Sequence, residues 1–381
     1  MPFKALIDRR PLLPVLSAVK DAVQRSTTIP ILSNLAIEAG DGRLSFLGTD
    51  MDLAIRMSVP AEIAGKGRIT VGAEDLSRLV SVLPEGCQVE MEVEPKNERL
   101  VVRAGRTSAK LPTLPFDEFP RIDDVGSEAT RFEIPATDLW RLLSIPAGAM
   151  STEETRYYLN GVYLHPTKVE GVPEIRACAT NGHILRRVAV PQPEGSAAMP
   201  GIIVPRHAVG IIVKRLPAAG TVELAVSETR LQVTIGELTL TTKLIDGTFP
   251  DYERVIPYRH DRTATFSRAD LLASVKRVQV LAESEDKSKA RAIRLAIGEG
   301  GTAISSGRRS DGAEIQDEVE GTLDGAPVEV GFNSLYLAAS LEAMATDEVD
   351  LLMTDAAAPS VLREAGDTAQ AKLFVIMPMR V

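Results

Sequence analysis

The pattern of hydrophobic and polar positions recurs along the chain at a long period. Residues 69–120 and 203–255 both run from a β-branched stretch into an amphipathic helix pattern, then through Leu-Pro and a Gly into two strands. Both stretches also contain a Phe-Pro pair, and the two pairs lie 130 residues apart. A fainter third copy begins at Val328. Self-similarity of this kind predicts three sibling domains.

Each copy is predicted to contain two β-α-β-β-β halves. Apolar residues at i, i+3 and i+4 spacing predict helices, which lie at residues 9–25, 73–83, 136–149, 205–216, 267–282 and 333–344. Each third opens with a predicted strand, at residues 3–7, 131–134 and 263–266. Alternating hairpins follow at residues 32–38 with 43–47, 158–164 with 175–180, and 292–297 with 302–306. The pattern therefore predicts an α+β fold whose antiparallel sheets bury one face against helices.

The length of 381 residues suits three domains, each long enough to hold its own core. Linkers are predicted near residues 123–127 and 257–261, where Asp, Gly, Ser and Pro cluster. We therefore expect the domains at residues 1–127, 128–257 and 258–381.

Composition favours a cytoplasmic protein with no membrane association. No apolar run approaches the roughly 18–20 residues that cross a bilayer, and the first residues lack the pattern of a signal peptide. Two lone cysteines, Cys87 and Cys178, indicate a reducing compartment rather than a disulfide framework.

Charge is distributed unevenly between the predicted helices and the rest of the chain. The net charge is −9, which argues against a general nucleic-acid coat. The six predicted helices nevertheless sum to +6, which leaves −15 for the strands and loops. Helices tolerate Lys and Arg, so chance can produce this imbalance. The alternative is that the helices share a face turned toward a polyanion.

The sequence contains no recognisable pattern of catalytic, metal-binding or cofactor-binding residues. The four histidines (His165, His183, His207 and His260) are far apart and lack metal-ligand spacing. The Gly-rich segments lack the phosphate-loop pattern, and no nucleophile elbow occurs. These observations favour a non-enzymatic protein with no metal and no cofactor.

Six short motifs carry a family resemblance. They are RYYLNG at 156–161, ATNGH at 179–183, IVPR at 203–206, FPDY at 249–252, GFNSLY at 331–336 and MPMR at 377–380. In this order and spacing, they resemble the bacterial DNA polymerase III beta subunits, the replicative sliding clamps. The resemblance covers essentially the whole chain.

The resemblance implies a fold and a set of partners. It implies three repeated clamp domains in a head-to-tail homodimer, with helices lining a ring interior and antiparallel sheets outside. The ring would encircle double-stranded DNA as a non-catalytic processivity factor. Expected partners are the DNA polymerase III alpha subunit, the ATP-dependent clamp loader, and other polymerases and repair proteins with clamp-binding motifs.

Basic helical residues are the predicted DNA contacts. Lys and Arg attract phosphates without regard to base sequence. The predicted set is Lys20, Arg25, Arg206, Lys214, Arg215, Arg268, Lys276 and Arg277. The resemblance adds Tyr157 and Tyr158. Taken singly, each cation can also be an ordinary solvated helix charge, and a strand tyrosine usually packs into a core.

The resemblance also implies a hydrophobic pocket for short linear peptides. Matching positions are Arg156, Leu159, Thr180, Gly182, His183, Leu185, Pro250, Arg254, Val255, Asn333, Tyr336, Ser360, Val361, Met377, Pro378, Met379 and Arg380. Met side chains adapt to many ligands, which suits such a pocket. Alternatively, Met377 and Met379 belong to a strand core. The chain has Asn181 and Ile184 where the family often has Asp and Arg, so its peptide preference is expected to differ.

Two further functions are compatible with these residues. One is a clamp paralogue specialised for drug resistance or repair, with the same fold and weaker polymerase binding. The other is a small-molecule enzyme that uses Thr180, His183 and Arg156 as a polar pocket. Binding of the polymerase motif distinguishes the first from a replicative clamp, and loss of turnover in a His183→Ala variant would favour the second.

Overall fold

The computed structural model describes residues 3–24, 27–94, 99–120, 123–282, 292–306, 313–367 and 371–380. The chain forms two compact units. The first unit comprises residues 1–137, 193–200 and 210–244, and the second comprises residues 138–192, 201–209 and 245–381.

The first third of the chain repeats the order strand, helix and three strands. Its elements are β1 (Lys4–Asp8), α1 (Arg9–Val19), β2 (Asn34–Gly40), β3 (Arg43–Thr49), β4 (Leu53–Pro60), β5 (Glu62–Gly65), β6 (Gly67–Gly72), α2 (Ala73–Val82), β7 (Gln88–Glu94), β8 (Arg99–Ala104) and β9 (Thr107–Leu114). The short strand β5 is an addition to the first half.

The middle third has the same order. Its elements are β10 (Thr130–Pro135), α3 (Ala136–Ala147), β11 (Gly161–Val169), β12 (Val172–Thr180), β13 (Ile184–Pro191), β14 (Ile202–Pro205), α4 (Arg206–Arg215), β15 (Thr221–Val226), β16 (Arg230–Ile235) and β17 (Leu238–Lys243). Short 3-10 turns lie at Glu154–Leu159 and Tyr252–Val255.

The last third completes the pattern with one additional strand. Its elements are β18 (Arg262–Ser267), α5 (Arg268–Ala282), β19 (Ala292–Gly298), β20 (Gly301–Ser306), β21 (Gln316–Val319), β22 (Gly321–Asp324), β23 (Val328–Asn333), α6 (Ser334–Glu342), β24 (Glu348–Met353), β25 (Ser360–Glu364) and β26 (Lys372–Ile376). The predicted α+β fold built from β-α-β-β-β halves is confirmed.

Neighbouring strands pair antiparallel throughout the described ranges. In the first unit, thirteen strands follow the order β10-β15-β16-β17-β4-β3-β2-β6-β9-β8-β7-β1-β5. The second unit has a nine-stranded sheet, β14-β11-β12-β13-β26-β25-β24-β18-β22, and a four-stranded sheet, β21-β20-β19-β23. Because β13 pairs with β26, the middle and last thirds share one sheet.

The helices bury their apolar stripes, as the periodicity predicts. In α1, Leu12, Val15, Leu16 and Val19 are at most 1% exposed. In α5, the buried positions include Leu271, Val275 and Val278. Burial of these stripes removes apolar surface from water, which is the main force that holds helices against sheets. Within the described ranges, no helix combines the length and the apolar character that a membrane span requires.

The end of α1 and the start of β11 differ from the prediction. The helix predicted at 9–25 is α-helical only to Val19 and continues as a 3-10 turn at Lys20–Ala22. At that end Gly48 of β3 lies so close that a Cβ on it would be 2.3 Å from the Val19 carbonyl oxygen. The strand predicted from 158 begins at Gly161, because Tyr157 and Tyr158 belong to the preceding 3-10 turn.

Candidate functional site

A cavity of about 260 Å³ lies in the second unit. It forms where the turn between β12 and β13, the 3-10 turn Tyr252–Val255 and the end of β26 meet. Its lining residues are Leu159, Thr180, Gly182, His183, Ile184, Leu185, Pro250, Asp251, Tyr252, Val255, Val375 and Met377. We call it the pocket cavity. Most of these side chains are apolar, so the cavity suits apolar side chains of a ligand.

Side-chain hydrogen bonds fix the turn that forms one wall of the pocket cavity. The Asn181 Oδ1 atom accepts the backbone N–H groups of His183 at 2.9 Å and Ile184 at 3.0 Å. The Thr180 hydroxyl accepts the Gly182 N–H at 3.1 Å and donates to the Ile184 carbonyl at 2.7 Å. Gly182 has φ +89°, a left-handed conformation that favours glycine. The wall is therefore held without the help of a ligand.

The C-terminal segment forms a second wall, next to this turn. The Met377 N–H donates to the His183 carbonyl at 2.9 Å, and the Met379 N–H donates to the Gly331 carbonyl at 2.8 Å. Met377 lies just past the end of β26 and is 39% exposed. The alternative that Met377 is a strand-core residue is therefore wrong, whereas Met379 is half-buried.

A buried polar network anchors the third wall. The Tyr252 hydroxyl lies 2.8 Å from His165 Nε2, and His165 Nδ1 lies 3.2 Å from the Pro166 carbonyl. Because a carbonyl can only accept, Nδ1 carries the proton and Nε2 accepts from Tyr252. Burial lowers the pKa of His165, which keeps the ring neutral at pH 7. Tyr252 thus keeps a fixed position beside the cavity.

The neighbouring Glu253 receives three donors. Arg176 Nη1 lies 2.6 Å from Glu253 Oε1, Arg187 Nη1 lies 3.5 Å away, and Tyr258 donates to Oε2. Burial by itself would raise the pKa of Glu253, but the hydrogen bond from Tyr258 and the charges of Arg187 and Arg176 outweigh it and lower the pKa. The carboxylate is therefore ionised at neutral pH and holds the Tyr252–Val255 turn against β12 and β13.

The structure brings many of the predicted pocket residues together around this cavity. Those on its lining are Leu159, Thr180, Gly182, His183, Leu185, Pro250, Val255 and Met377. Sequence reasoning missed Ile184, Asp251, Tyr252 and Val375 as lining residues. The FPDY motif contains Asp251 and Tyr252. Ile184 and Val375 lie on strands, where alternation predicts burial but does not tell which face lines a cavity.

Other predicted pocket residues lie near the lining. A Cβ on Gly182 would be 2.9 Å from Arg156 Nη1, and Arg156 Nε donates to Glu153 at 2.8 Å. The Tyr336 ring stacks on His183 with ring centroids 6.3 Å apart. Arg254 is exposed and pairs with Asp251 at 2.7 Å.

Six further predicted pocket residues, among them the half-buried Met379, also lie outside the lining. Asn333 caps α6 by accepting the Leu335 N–H at 3.0 Å. Ser360 and Val361 are buried in β25, and Val361 packs in a cluster with Leu159, Leu185 and Val375 beneath the cavity. Pro378 and Arg380 follow Met377 along the chain. Contact of these residues with a bound peptide stays a prediction.

The predicted DNA-contacting cations lie on or next to helices, and each described member has a partner. Lys20 pairs with Glu74 at 3.1 Å. Lys214 Nζ and Arg215 Nε both lie 2.9 Å from Asp21 oxygens. Arg25 lies outside the described residues.

The remaining cations follow the same rule. Arg206 donates to the carbonyls of Met150 at 2.9 Å and Ser151 at 2.6 Å, and Arg268 donates to the Thr346 carbonyl at 2.7 Å. Lys276 pairs with Glu342 at 2.6 Å, and Arg277 Nε lies 2.7 Å from Asp317. Tyr157 is half exposed, and its ring meets Tyr158 edge-on at 5.8 Å. We call the described Lys and Arg residues of this set the helix cations.

Two pairs of helix cations occupy matching positions. Lys214 and Arg215 are the ninth and tenth residues of α4, and Lys276 and Arg277 are the ninth and tenth residues of α5. Both helices follow an opening strand of a β-α-β-β-β half. These two sibling halves therefore carry a Lys-Arg pair at the same position along their helices.

Comparison with known proteins matches the whole length of the chain. Residues 3–123, 133–251 and 253–380 match the N-terminal, central and C-terminal domains of the DNA polymerase III beta subunit. The beta sliding clamp of Caulobacter vibrioides is 37% identical over 99% of this chain and 100% of its own length. The beta sliding clamp of Escherichia coli K12 is 31% identical, again over 99% of this chain and 100% of its own length.

Solved structures agree with the sequence matches. The C. crescentus beta sliding clamp, with PEG bound to its putative beta-motif tethering region, has a TM-score of 0.94 at 37% identity and covers 100% of this chain and 99% of its own. The Bartonella birtlesii sliding clamp bound to griselimycin has a TM-score of 0.94 at 36% identity, over 100% of both chains. The chain belongs to the DNA polymerase III beta subunit family, the beta sliding clamps.

Proposed function

We propose that this chain is the replicative clamp that tethers its polymerase to DNA through the pocket cavity. The family consists of non-catalytic processivity factors. The observation that carries the proposal is the pocket cavity itself. Three fixed walls enclose an apolar space in the part of the fold that the resemblance assigns to peptide binding. No observation favours the paralogue, so the replicative role is the one proposed.

The ligand of the pocket cavity is a short linear peptide with apolar side chains. About 260 Å³ holds a few such side chains rather than a folded domain. The flexible thioether of Met377 can adapt to different residues, which allows one cavity to serve several partners. We assign these peptides to the DNA polymerase III alpha subunit, the clamp loader, and other polymerases and repair proteins.

The quaternary structure proposed is a head-to-tail homodimer that closes a ring around duplex DNA. Three sibling domains, with boundaries at residues 1–127, 128–257 and 258–381, supply half of a six-part ring. A heterologous contact between the first and third domains, used twice about a twofold axis, closes without a free end. Edge strands that pair across this contact would remain protected. A loader that uses ATP would open one contact to admit DNA.

Within the ring, the helix cations face the phosphates. The matching positions of Lys214–Arg215 and Lys276–Arg277 support this orientation, since sibling helices would meet DNA in the same way. Attraction to phosphates carries no base-sequence information and weakens with salt. Such contacts let the ring slide while topology prevents its release.

The decisive experiment is loading on a nicked circular plasmid followed by linearisation. We expect the chain to remain on the closed circle through gel filtration at high salt and to leave within minutes of a single cut. A linear plasmid with both ends blocked by bulky protein is the control, and it should retain the chain. Loss from the uncut circle, or retention on the cut one with free ends, would overturn the proposed ring.

A further inference from the structure

Four helix cations that show no hydrogen bond to a backbone carbonyl within the described ranges are each paired with a carboxylate. Lys20 meets Glu74, Lys214 meets Asp21, Lys276 meets Glu342 and Arg277 meets Asp317. A ring that attracts DNA would gain the most from free cations. The pairing therefore calls for an explanation other than maximal attraction.

Asp21 is the most enclosed of these carboxylates. It follows α1 in the 3-10 turn Lys20–Ala22, and its side chain is 19% exposed. Lys214 contacts both oxygens, at 2.9 and 3.0 Å, and Arg215 Nε lies 2.9 Å from Oδ2. Burial alone would raise the pKa of Asp21, but the hydrogen bonds from Lys214 and Arg215 leave it lowered. One ionised carboxylate thus serves two cations.

In the last third of the chain, two other carboxylates pair with the cations of α5. Glu342 of α6 lies 2.6 Å from Lys276, with both side chains about half exposed. Asp317 of β21 lies 2.7 Å from Arg277 Nε. These acidic residues come from different elements than Asp21 does. The matching cation pairs of α4 and α5 are therefore neutralised by carboxylates from different elements of the fold.

Exposed ion pairs contribute little to stability, so fold stability alone gives a weak reason for this recurrence. We propose that Asp21, Glu342 and Asp317 limit how tightly the helix cations hold the phosphate backbone, an inference that rests on the proposed ring around DNA. A phosphate must displace the carboxylate, or share the cation with it, before it gains the full contact with that cation. Each contact is then weak and quickly exchanged, which favours sliding.

The test compares two substitutions that change the charge equally. Glu342→Gln frees Lys276. Glu329→Gln removes the carboxylate that lies 3.1 Å from Arg294. Arg294 lies on β19 and Glu329 on β23, so this pair is not one of the helix cations. Its two side chains are about as exposed as those of Lys276 and Glu342, which makes it a matched control. Affinity of the full-length chain for a short linear duplex with free ends is measured by fluorescence anisotropy at about 50 and about 200 mM salt.

We expect Glu342→Gln to tighten binding about three- to tenfold at the lower salt, the scale of one unit charge a few ångströms away in water. It should also steepen the salt dependence. Glu329→Gln should change the affinity less than twofold. If both substitutions change the affinity equally, the proposal is wrong, because the effect is then one of net charge.

A second variant separates local from general effects. In a Lys276→Gln background, Glu342→Gln should no longer tighten binding, because its partner is gone; an unchanged gain there would also overturn the proposal. Asp317→Asn should act in the same direction through Arg277. All variants are first tested for retention on nicked circles. Failure of the parent chain in that assay refutes the ring, whereas retention with unaltered linear-DNA affinity refutes only the carboxylate role.

Discussion

The pocket cavity and the helix cations are built in opposite ways. The cavity walls are held by backbone and buried side-chain hydrogen bonds, as in the Thr180–Ile184 turn and the Tyr252–His165 pair. Lys214 and Lys276, by contrast, are exposed and held by single carboxylates. A fixed apolar shape discriminates between ligands, whereas exposed surface charges attract any polyanion. Under the proposed function, one chain would thus combine a selective site with an unselective one.

The difference predicts how substitutions will act. A change in the pocket cavity alters a site with a defined shape, so its effect should be large and confined to peptide binding. A change in a helix cation removes one of several weak contacts, so its effect should be small and should vanish at high salt.

The largest expected effect comes from a charge placed in the pocket cavity. Met377→Glu should weaken binding of a labelled peptide carrying the alpha-subunit motif about 30-fold or more, because an apolar ligand then desolvates a carboxylate. Retention on nicked circular DNA should not change. Val172→Glu, at an exposed valine in the β11–β12 hairpin, is the control. Equal peptide affinity of the parent and Met377→Glu would place the peptide elsewhere.

Glu253 should matter most for stability. Glu253→Gln replaces the carboxylate that faces Arg176 and Arg187 by a neutral amide, and we expect a loss of about 1–3 kcal/mol in the free energy of unfolding. Urea unfolding followed by circular dichroism measures it. The exposed turn substitution Glu299→Gln should stay within about 0.5 kcal/mol of the parent. If both variants lost a similar free energy of unfolding, Glu253 would not anchor the turn.

The effect of Glu253 should also depend on pH. Its pKa is lowered in the folded chain, so its contribution to stability is present above the pKa of an unfolded Glu, about 4.3, and is lost as the pH falls through the folded value. The stability gap between the parent and Glu253→Gln should therefore be constant near pH 6–7 and shrink below about pH 4. A gap that widens on acidification would contradict this sign.

Removal of one helix cation should have a modest effect. Lys276→Gln is expected to weaken binding to a linear duplex about two- to fivefold at low salt, because one phosphate contact is lost. The difference should disappear near 0.5 M salt, where charges are screened within a few ångströms. Arg294→Gln removes a sheet cation of similar exposure and should leave the affinity unchanged. An equal loss in both would remove the distinction between helix and sheet cations.

The smallest effect is expected at Ser360. Its side chain is fully buried, and its Oγ has no hydrogen-bond partner among the residues that the structure describes. Ser360→Ala should therefore change peptide affinity less than twofold and stability by less than about 1 kcal/mol. Calorimetry on the same peptide provides the check. A tenfold loss would show that Ser360 reaches the ligand after all.

Much of the fold could be predicted because its signals are local. The hairpin predicted at 292–297 and 302–306 matches β19 and β20 within one residue, since alternation and a Gly-rich turn define it within a few positions. The 3-10 turn at Glu154–Leu159 was missed, because its tyrosine and leucine pattern also suits a strand. Helix α1 ended early where β3 packs against it, which is a contact between distant segments.

The candidate site was predictable only where a motif covered it. His183 and Met377 were found through quoted motifs, and the cavity brings them together. Val375 was missed because its strand alternation does not tell which face lines a cavity. The anchoring of Glu253 by Arg176 and Arg187 joins residues far apart along the chain.

By itself, the sequence determined the triple repeat, the six helices and the excess of positive charge on them. These follow from spacing and composition within short windows, where neighbouring residues dictate local conformation. The tertiary structure alone decided which carboxylate meets which cation, and which side chains enclose the pocket cavity. Asp21 and Lys214 are separated by 193 positions, yet their charged atoms lie 2.9 Å apart. Such pairings depend on how sheets and helices pack, because the distance between remote residues is set by the folded core and not by chain order.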